Sequence, residues 1–547
     1  MPTGENLRTQ AQTPAINAAQ VAQDFINRVP NEPGELPTVM IRGGGVSIRR
    51  SAENLFRHVA PHRHVFYRGG MVVELVNDGP EYDVKVLTAA GAQSQLEKYV
   101  QFVKRGKGAT GVLEPTIISK AMAEEYLNSE AARTMLPKFN GLLACPLMIE
   151  KKGQLHTLQR GYDEATGYFV TSAQAAEDVP LNDAVELLSG WMAEYDFFSA
   201  GDRSRAIASM ITPALKLGGF IRGPVPIDVA EADKSQSGKT LRQKVIAAIY
   251  NQKPALVAKK KGGVGSMEET FGDHLVKGRV FIQFDNVRGD LNSEFLEAFV
   301  TAEGKVSVRT PYMANVEVDS TKFLLFISSN GFVTTEDLAN RSSIIRIRKR
   351  ENYQFRQSNG MGLLEMTSSV QPALLGSVFS VIREWHRRGK PKTNETRHSF
   401  REWCQPLDWI MQNIFHAAPL MDGHNAAKIR AQNPRLTFLR TVALKLKDQN
   451  KIGQQVSASD ITDICLEENI EMPGLSADKL TQEEGKKQFG RIMKNLFGDK
   501  NELDLDEFTV ERAGVVARTM VGNNQALYRY TFRQKNPALT TPAPRGA

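Results

Sequence analysis

The chain has 547 residues, 41% hydrophobic and 24% charged, and its 69 Lys and Arg against 61 Asp and Glu give a formal net charge of +8. That length exceeds one ordinary core and predicts three or four domains of globular composition, and no apolar run approaches the roughly 18 residues of a membrane-spanning helix. Cys145, Cys404 and Cys465 lie too far apart for a disulfide framework or a zinc spacing, which predicts a reducing cytoplasm; the basic balance permits a polyanionic partner without requiring one.

Residues 1–35, polar and closing on Pro30-Asn31-Glu32-Pro33-Gly34, predict a flexible leader without the basic-then-apolar layout of a signal peptide. Residues 36–175 predict an N-terminal α+β domain. Val65-Phe66-Tyr67, the turn Arg68-Gly69-Gly70 and Met71–Leu75 form a hairpin signal, a helix is expected over 117–136, and Gly161 to Val170 reads as turn and strand. His62 and His64 on a β-like run point to one face but lack a third metal ligand. Asp83 is a single carboxylate, so no primase activity is expected. Residues 176–219 predict a helical linker or collar, with apolar spacing near 3.6 at 184–188 and 205–211.

From 220 to 350 strand and helix signals alternate. Strands are expected at 224–231, 254–259, 279–285, 321–329 and 343–348, and helices at 239–250, 266–277, 291–303 and 334–341. This order predicts a parallel sheet covered by helices on both faces. Residues 351–455 predict a helical region in which Trp385, Trp403 and Trp409 are core anchors, and the scattered His386, His398, His416 and His424 read as structural or surface histidines. Residues 456–535 read as helix (458–468), helix (486–497) and two strands (508–518 and 526–533) around the turn Gly522-Asn523-Asn524. Residues 536–547 form a Pro/Thr/Ala tail with no fold signal.

The chemistry concentrates in the alternating segment. Ser235-Gln236-Ser237-Gly238-Lys239-Thr240 lies between a strand and a helix, where backbone N–H groups and the helix N-terminus suit nucleotide phosphates. Lys239 supplies a point charge, and the Thr240 hydroxyl suits Mg²⁺. Asp285, at the carboxyl end of the strand 279–285, would lie beside the loop and bind the same metal. Asn330, after the strand 321–329, could orient water and touch a γ-phosphate; Arg341, on a short helix, could reach a neighbouring subunit's phosphate. Plainer readings are a turn residue for Asp285, an Asn-Gly turn for Asn330, and an ion pair with Asp337 for Arg341. The order phosphate loop, Asp, Asn, Arg favours the nucleotide reading, with ATP and Mg²⁺ as cofactors.

Residues 220–350 resemble the AAA+ P-loop ATPase core, and more closely the superfamily III-like helicase ATPases of phages, plasmids and integrated elements. The resemblance rests on Asp285-Asn286-Val287-Arg288-Gly289, Leu296-Glu297-Ala298-Phe299-Val300-Thr301-Ala302, Arg309 and Asp337-Leu338-Ala339-Asn340-Arg341, with Gly161–Gly167 as a flanking motif. It implies a hexameric homo-oligomeric ring, single-stranded DNA in a central channel, and a helicase or translocase acting in phage or mobile-element replication. The setting would be the bacterial host cytoplasm, with other replication proteins as possible partners. A non-unwinding, ATP-gated initiator or loader is the alternative, and a defence or regulatory ATPase a third reading.

Two departures bear on hydrolysis. Asp233 stands where a glycine is usual, and Asn286 replaces the usual catalytic glutamate, although an amide cannot deprotonate water. Glu269 or Glu268 is therefore a candidate to polarise the attacking water; the alternative is an acidic first helical turn favoured by the helix dipole. By the same resemblance, Lys305, Arg309 and Tyr312, on the hairpin-like run 305–318, would contact DNA phosphates and stack on a base; the alternative is a plain surface hairpin. Lys259-Lys260-Lys261-Gly262-Gly263 reads as a solvated turn, with a channel loop as the alternative. The C-terminal pattern resembles a winged helix, with Arg491, Lys494, Arg512, Arg518 and Arg529 facing DNA or a protein partner.

Overall fold

The computed structural model describes residues 36–535 apart from 44, 79–80, 107–111, 233–235, 258–264, 288–289, 303, 309–315, 351–352, 359, 476–478, 506 and 517–526. The leader, the tail and the 522–524 turn lie outside the described residues. The architecture is mixed α/β and multidomain, organised around a six-stranded sheet.

Its strands are β1 (Asp196–Phe197), β2 (Ile227–Ala232), β3 (Ala255–Leu256), β4 (Phe281–Val287), β5 (Leu324–Ser329) and β6 (Ser342–Arg348), in the order β1-β6-β2-β5-β4-β3. Every pairing is parallel except β1 with β6. β2 and β5 are buried along their whole length, as strands covered on both faces must be. Interleaved helices are α1 (Ala200–Leu217), α2 (Lys239–Ile249), α3 (Met267–Lys277), α4 (Glu294–Thr301) and α5 (Glu336–Asn340). Local chemistry sets their starts: Ser199, Ser266, Ser293 and Thr335 each accept a backbone N–H from the first turn of α1, α3, α4 and α5. Strands and helices thus stand within a few residues of the sequence expectations.

β2 is the pivot. The chain leaves it through α2 toward β3, at the far edge beyond β5 and β4, while β6 lies on its other side. Its carboxyl end is therefore the switch point of the sheet, where an open α/β fold leaves a crevice.

Residues 143–170 share one hydrophobic cluster with this sheet and with the helices up to Ala431. Residues 39–136 form a second cluster and 438–532 a third. The hairpin of Val65–Arg68 and Met71–Asp78, which gives Val65 and Val72 to the second cluster and Phe66, Val73 and Leu75 to a small fourth one, turns through Gly69-Gly70, both at positive φ as a tight two-residue turn demands. The helix expected over 117–136 is two, Lys120–Leu127 and Glu130–Met135, because Ser129 caps a new start. A helix at Ile48–Val59 was not anticipated, although Ala52, Leu55, Phe56 and Val59 carry its buried spacing. His62 sits in a 3-10 turn and His64 precedes the strand, so the two do not share a strand face.

The third cluster packs Pro434–Asp448, Ala458–Glu467 and Gln482–Phe497 on an antiparallel sheet ordered Gln455–Val456, Leu527–Gln534, Phe508–Val516, Glu502–Leu505. Arg491 and Lys494 are exposed on its last helix; Arg518 lies outside the described residues. Trp385 and Trp403 are buried, and their indole N–H groups donate to Pro391 O and Thr212 Oγ1 at 2.9 and 3.0 Å. His398 and His424 are buried in the same region. No helix among the described residues is long and apolar enough to cross a membrane.

Candidate nucleotide-binding site

The loop after β2 delivers its residues to the N-terminus of α2. Ser235 and Asp233 lie outside the described residues. Gln236 and Gly238 take positive φ of 63° and 88°, turning the chain so that helical N–H groups face the crevice. Gly238 admits no side chain: a Cβ there would lie 2.3 Å from Phe355 Cζ and 3.1 Å from Tyr195 Cε1. Ser237 Oγ is buried without a hydrogen-bond partner, a polar orphan beside the helix N-terminus.

Three strands converge on this point. Lys239, buried at the start of α2, donates from Nζ to Asn330 Oδ1 at 2.7 Å, just past β5. Thr240 Oγ1 donates to Asp285 Oδ1 at 2.7 Å, and Ser328 Oγ donates to the same oxygen at 2.6 Å. Ser328 also accepts the Asn286 N–H at 2.7 Å. Asn286 itself takes φ 51°, and the β4–β5 register shifts between Phe284 and Val287. This irregularity directs Asp285 toward Thr240 while leaving Asn286 one residue along a bent strand. A hydroxyl and a carboxylate side by side are the hard oxygen donors that Mg²⁺ takes from a protein when phosphate and water complete its shell. Lys239, Thr240, Asp285 and Asn330, 91 residues apart at the extremes, are thus brought together.

Ser328 was missed by the sequence reading. Its signal was a polar Ser328-Ser329 pair ending an otherwise apolar strand. Also unforeseen is a buried polar layer beneath the loop. Gln243 Nε2 donates to Ile327 O at 2.9 Å and to Asp228 O at 3.0 Å, Gln283 Nε2 donates to Gln243 Oε1 at 3.0 Å, and Arg242 pairs with Asp228. These bonds fix the rotation of α2 over β2, β4 and β5, and so the direction of Lys239 and Thr240. At the end of β2 the buried Glu231 accepts the Phe332 N–H at 3.0 Å and is bound by both ends of the Arg430 guanidinium, at 2.8 Å through Nη1. Arg430 belongs to the helix His424–Ala431, so this pair ties the helical region to the base of the loop.

The remaining candidates are more dispersed. Arg341 ends α5, a quarter exposed, with Nη2 3.9 Å from Asp337 Oδ1 and Nε buried without a hydrogen-bond partner. Glu268 is exposed in the first turn of α3; Glu269, half-buried there, accepts the Gly265 N–H at 2.5 Å. The run 305–318 does form a hairpin, Lys305–Val308 against Val316–Asp319, with Lys305 Nζ 3.0 Å from Glu317. Its tip, with Arg309 and Tyr312, lies outside the described residues, as does Lys259-Lys260-Lys261. The hairpin base is braced from the N-terminal side. The Glu317 N–H donates to Gly69 O at 3.1 Å, and Arg68, its pKa lowered by burial to about 10, donates to Leu275 O at the end of α3 at 3.0 Å. Among the described residues no group of three or more His, Cys, Asp or Glu could hold a metal on its own.

Neither a family model nor a curated protein matches the sequence. Among solved structures, the apo NrS-1 C-terminal region is similar at 11% identity and a TM-score of 0.34, covering 87% of this chain and 98% of that one. The active helicase Cch of SCCmec type IV is similar at 11% identity and a TM-score of 0.30, covering 85% and 91%. JCV helicase, bound to a small molecule, is similar at 11% identity and a TM-score of 0.24, covering 46% and 71%. At such values the likenesses assign neither fold nor activity.

Proposed function

We propose that this protein is an ATPase that works on DNA, a helicase or translocase of a phage or mobile element acting as a hexameric ring through an AAA+ core at 220–350. The observation that carries the reading is the convergence of Lys239, Thr240, Asp285, Ser328 and Asn330 on a helix N-terminus at the switch point of a parallel sheet. Lys239 would hold the β- and γ-phosphates, and Thr240 and Asp285 the metal. Bound Mg²⁺ would neutralise charge on the transferring phosphate. Asn330, bonded to Lys239, would sense the γ-phosphate. Arg341 would act on a neighbour's site, and Glu268 or Glu269 would polarise water. Lys305, Arg309 and Tyr312 would grip a single strand, and the C-terminal unit at 456–535, read as a winged helix, would offer Arg491 and Lys494 to a duplex.

A second reading, an ATP-gated initiator or loader that does not unwind, is favoured by two features. Asn286 cannot serve as a base, and the Glu269 carboxylate is engaged by its own helix start. Unwinding of a forked duplex, with ATP turnover stimulated by single-stranded DNA, supports the motor; ATP-dependent DNA binding without unwinding supports the loader. Lys239→Ala should abolish ATP binding in either case, and retained binding by that variant would refute both. If Glu268→Gln and Glu269→Gln each keep full ATP turnover, neither residue polarises the water.

A further inference from the structure

The segment that leaves β6 for the helical region is held against the phosphate loop by a buried carboxylate. Glu194 Oε2 accepts from Tyr353 Oη at 2.8 Å and from the Arg356 N–H at 2.9 Å, while Arg356 Nε lies 3.1 Å from Oε1. Between these anchors Phe355 is pressed onto Gly238, at the spot where a Cβ would clash. Its half-buried ring also packs on Tyr195 (centroids 5.3 Å apart) and edge-on to Tyr353 (5.8 Å), and Arg350 stacks over Tyr353 at 4.6 Å.

A hydrophobic brace for the loop would explain Phe355 alone. It does not explain why Tyr353 is 39% exposed beside a cationic group, nor why two buried hydroxyls have no hydrogen-bond partners: Oη of Tyr195, whose ring packs against Gly238, and Oγ of Ser237, the residue before it. Aromatic faces at the rim of a phosphate loop, with unsatisfied hydroxyls next to them, suit a planar heteroaromatic ring attached to a phosphate chain.

We propose that Phe355 and Tyr353 form the wall on which the base of the bound nucleotide stacks, and that this wall prefers a purine. The proposal rests on the nucleotide reading above and adds to it the residues that recognise the base. Stacking grows with ring area, so purines gain more from this wall than pyrimidines. Glu194 is a positioning residue: it acts only by holding the segment that carries both rings.

The test is calorimetric titration of the full chain with ATP, CTP and inorganic tripolyphosphate, in the presence of Mg²⁺. The wild-type protein should bind ATP about tenfold to a hundredfold more tightly than tripolyphosphate, with CTP between them. Phe355→Ala should bring ATP down to the level of tripolyphosphate without changing tripolyphosphate itself, and Phe355→Tyr should restore the difference. An unchanged ATP-to-tripolyphosphate ratio in Phe355→Ala overturns the proposal. So does an equal loss for both ligands, since the ring would then only shape the phosphate loop. If the wild-type protein binds neither ligand, the nucleotide reading itself fails and takes this inference with it.

Discussion

The pair Glu231–Arg430 joins β2, the strand that leads into the loop before α2, to a helix 199 residues further on, with side chains 1% and 3% exposed. Arg430→Met removes the cation and leaves the Glu231 carboxylate buried with only the Phe332 N–H of its partners described above. Stranding one member of a buried pair costs about 3–5 kcal/mol, whereas neutralising both members can be close to neutral. With a urea slope of about 3 kcal/mol/M, the unfolding midpoint of the central unit should fall by about 1 M. In the double variant Glu231→Gln/Arg430→Met no charge is buried, and the Gln oxygen still accepts from Phe332. That variant should recover at least about 2 kcal/mol of the loss, as a strongly coupled cycle requires. Urea unfolding followed by tryptophan fluorescence is suited to the measurement, because Trp385 and Trp403 report on this cluster. A cost below about 1 kcal/mol for Arg430→Met, or a double variant whose loss equals the sum of the two singles, would refute the argument.

Three further outcomes are expected. Burial holds the His398 ring neutral, its pKa lowered from 6.5 to about 4, so between those values the unfolded chain takes up a proton that the folded chain refuses. Stability should therefore fall as pH drops, by about 2 kcal/mol from this residue between pH 7 and pH 5, and His398→Gln should reduce the pH dependence of the urea midpoint there, with the buried His424, also held below its usual pKa, supplying the remainder. Ser328→Ala removes the donor to Asp285 and the acceptor for the Asn286 N–H; the Mg²⁺ concentration needed for half-maximal ATP turnover should rise, at a stability cost of about 1–3 kcal/mol. Gly69→Ala would place a Cβ 2.1 Å from Glu317 O in a residue at φ +55°. It should loosen the N-terminal turn from the hairpin base by about 1–3 kcal/mol, seen as faster amide exchange at Glu317.

How far the sequence reached depended on the range of the forces involved. Periodicity, caps and turn residues act over a few positions. The alternation of strands and helices over 220–350, the Gly-Lys-Thr at a strand-to-helix turn and the hairpin around Gly69-Gly70 were therefore all legible. Asp285 and Asn330 could be named because carboxylates and amides at strand ends are local signals too. The helix at Ile48–Val59 was overlooked because its Arg-rich start masked a regular apolar stripe. The break at Ser129 was hidden inside one long helical pattern.

Only the folded chain decided what depends on strand order and register. Ser328 can donate to Asp285 because β5 lies between β2 and β4, and Asp285 faces Thr240 because the strand bends at Asn286. The buried layer of Asp228, Arg242, Gln243 and Gln283, the Glu231–Arg430 pair and the closure of Phe355 on Gly238 join positions tens to hundreds of residues apart, and no local pattern foretells such pairings. The sequence by itself predicted a Gly-Lys-Thr strand-to-helix turn with a carboxylate and an amide at the ends of later strands. The tertiary structure determined which hydroxyl meets that carboxylate, which arginine pairs with Glu231 and which ring packs on Gly238, because those are matters of distance across the sheet and not of order along the chain.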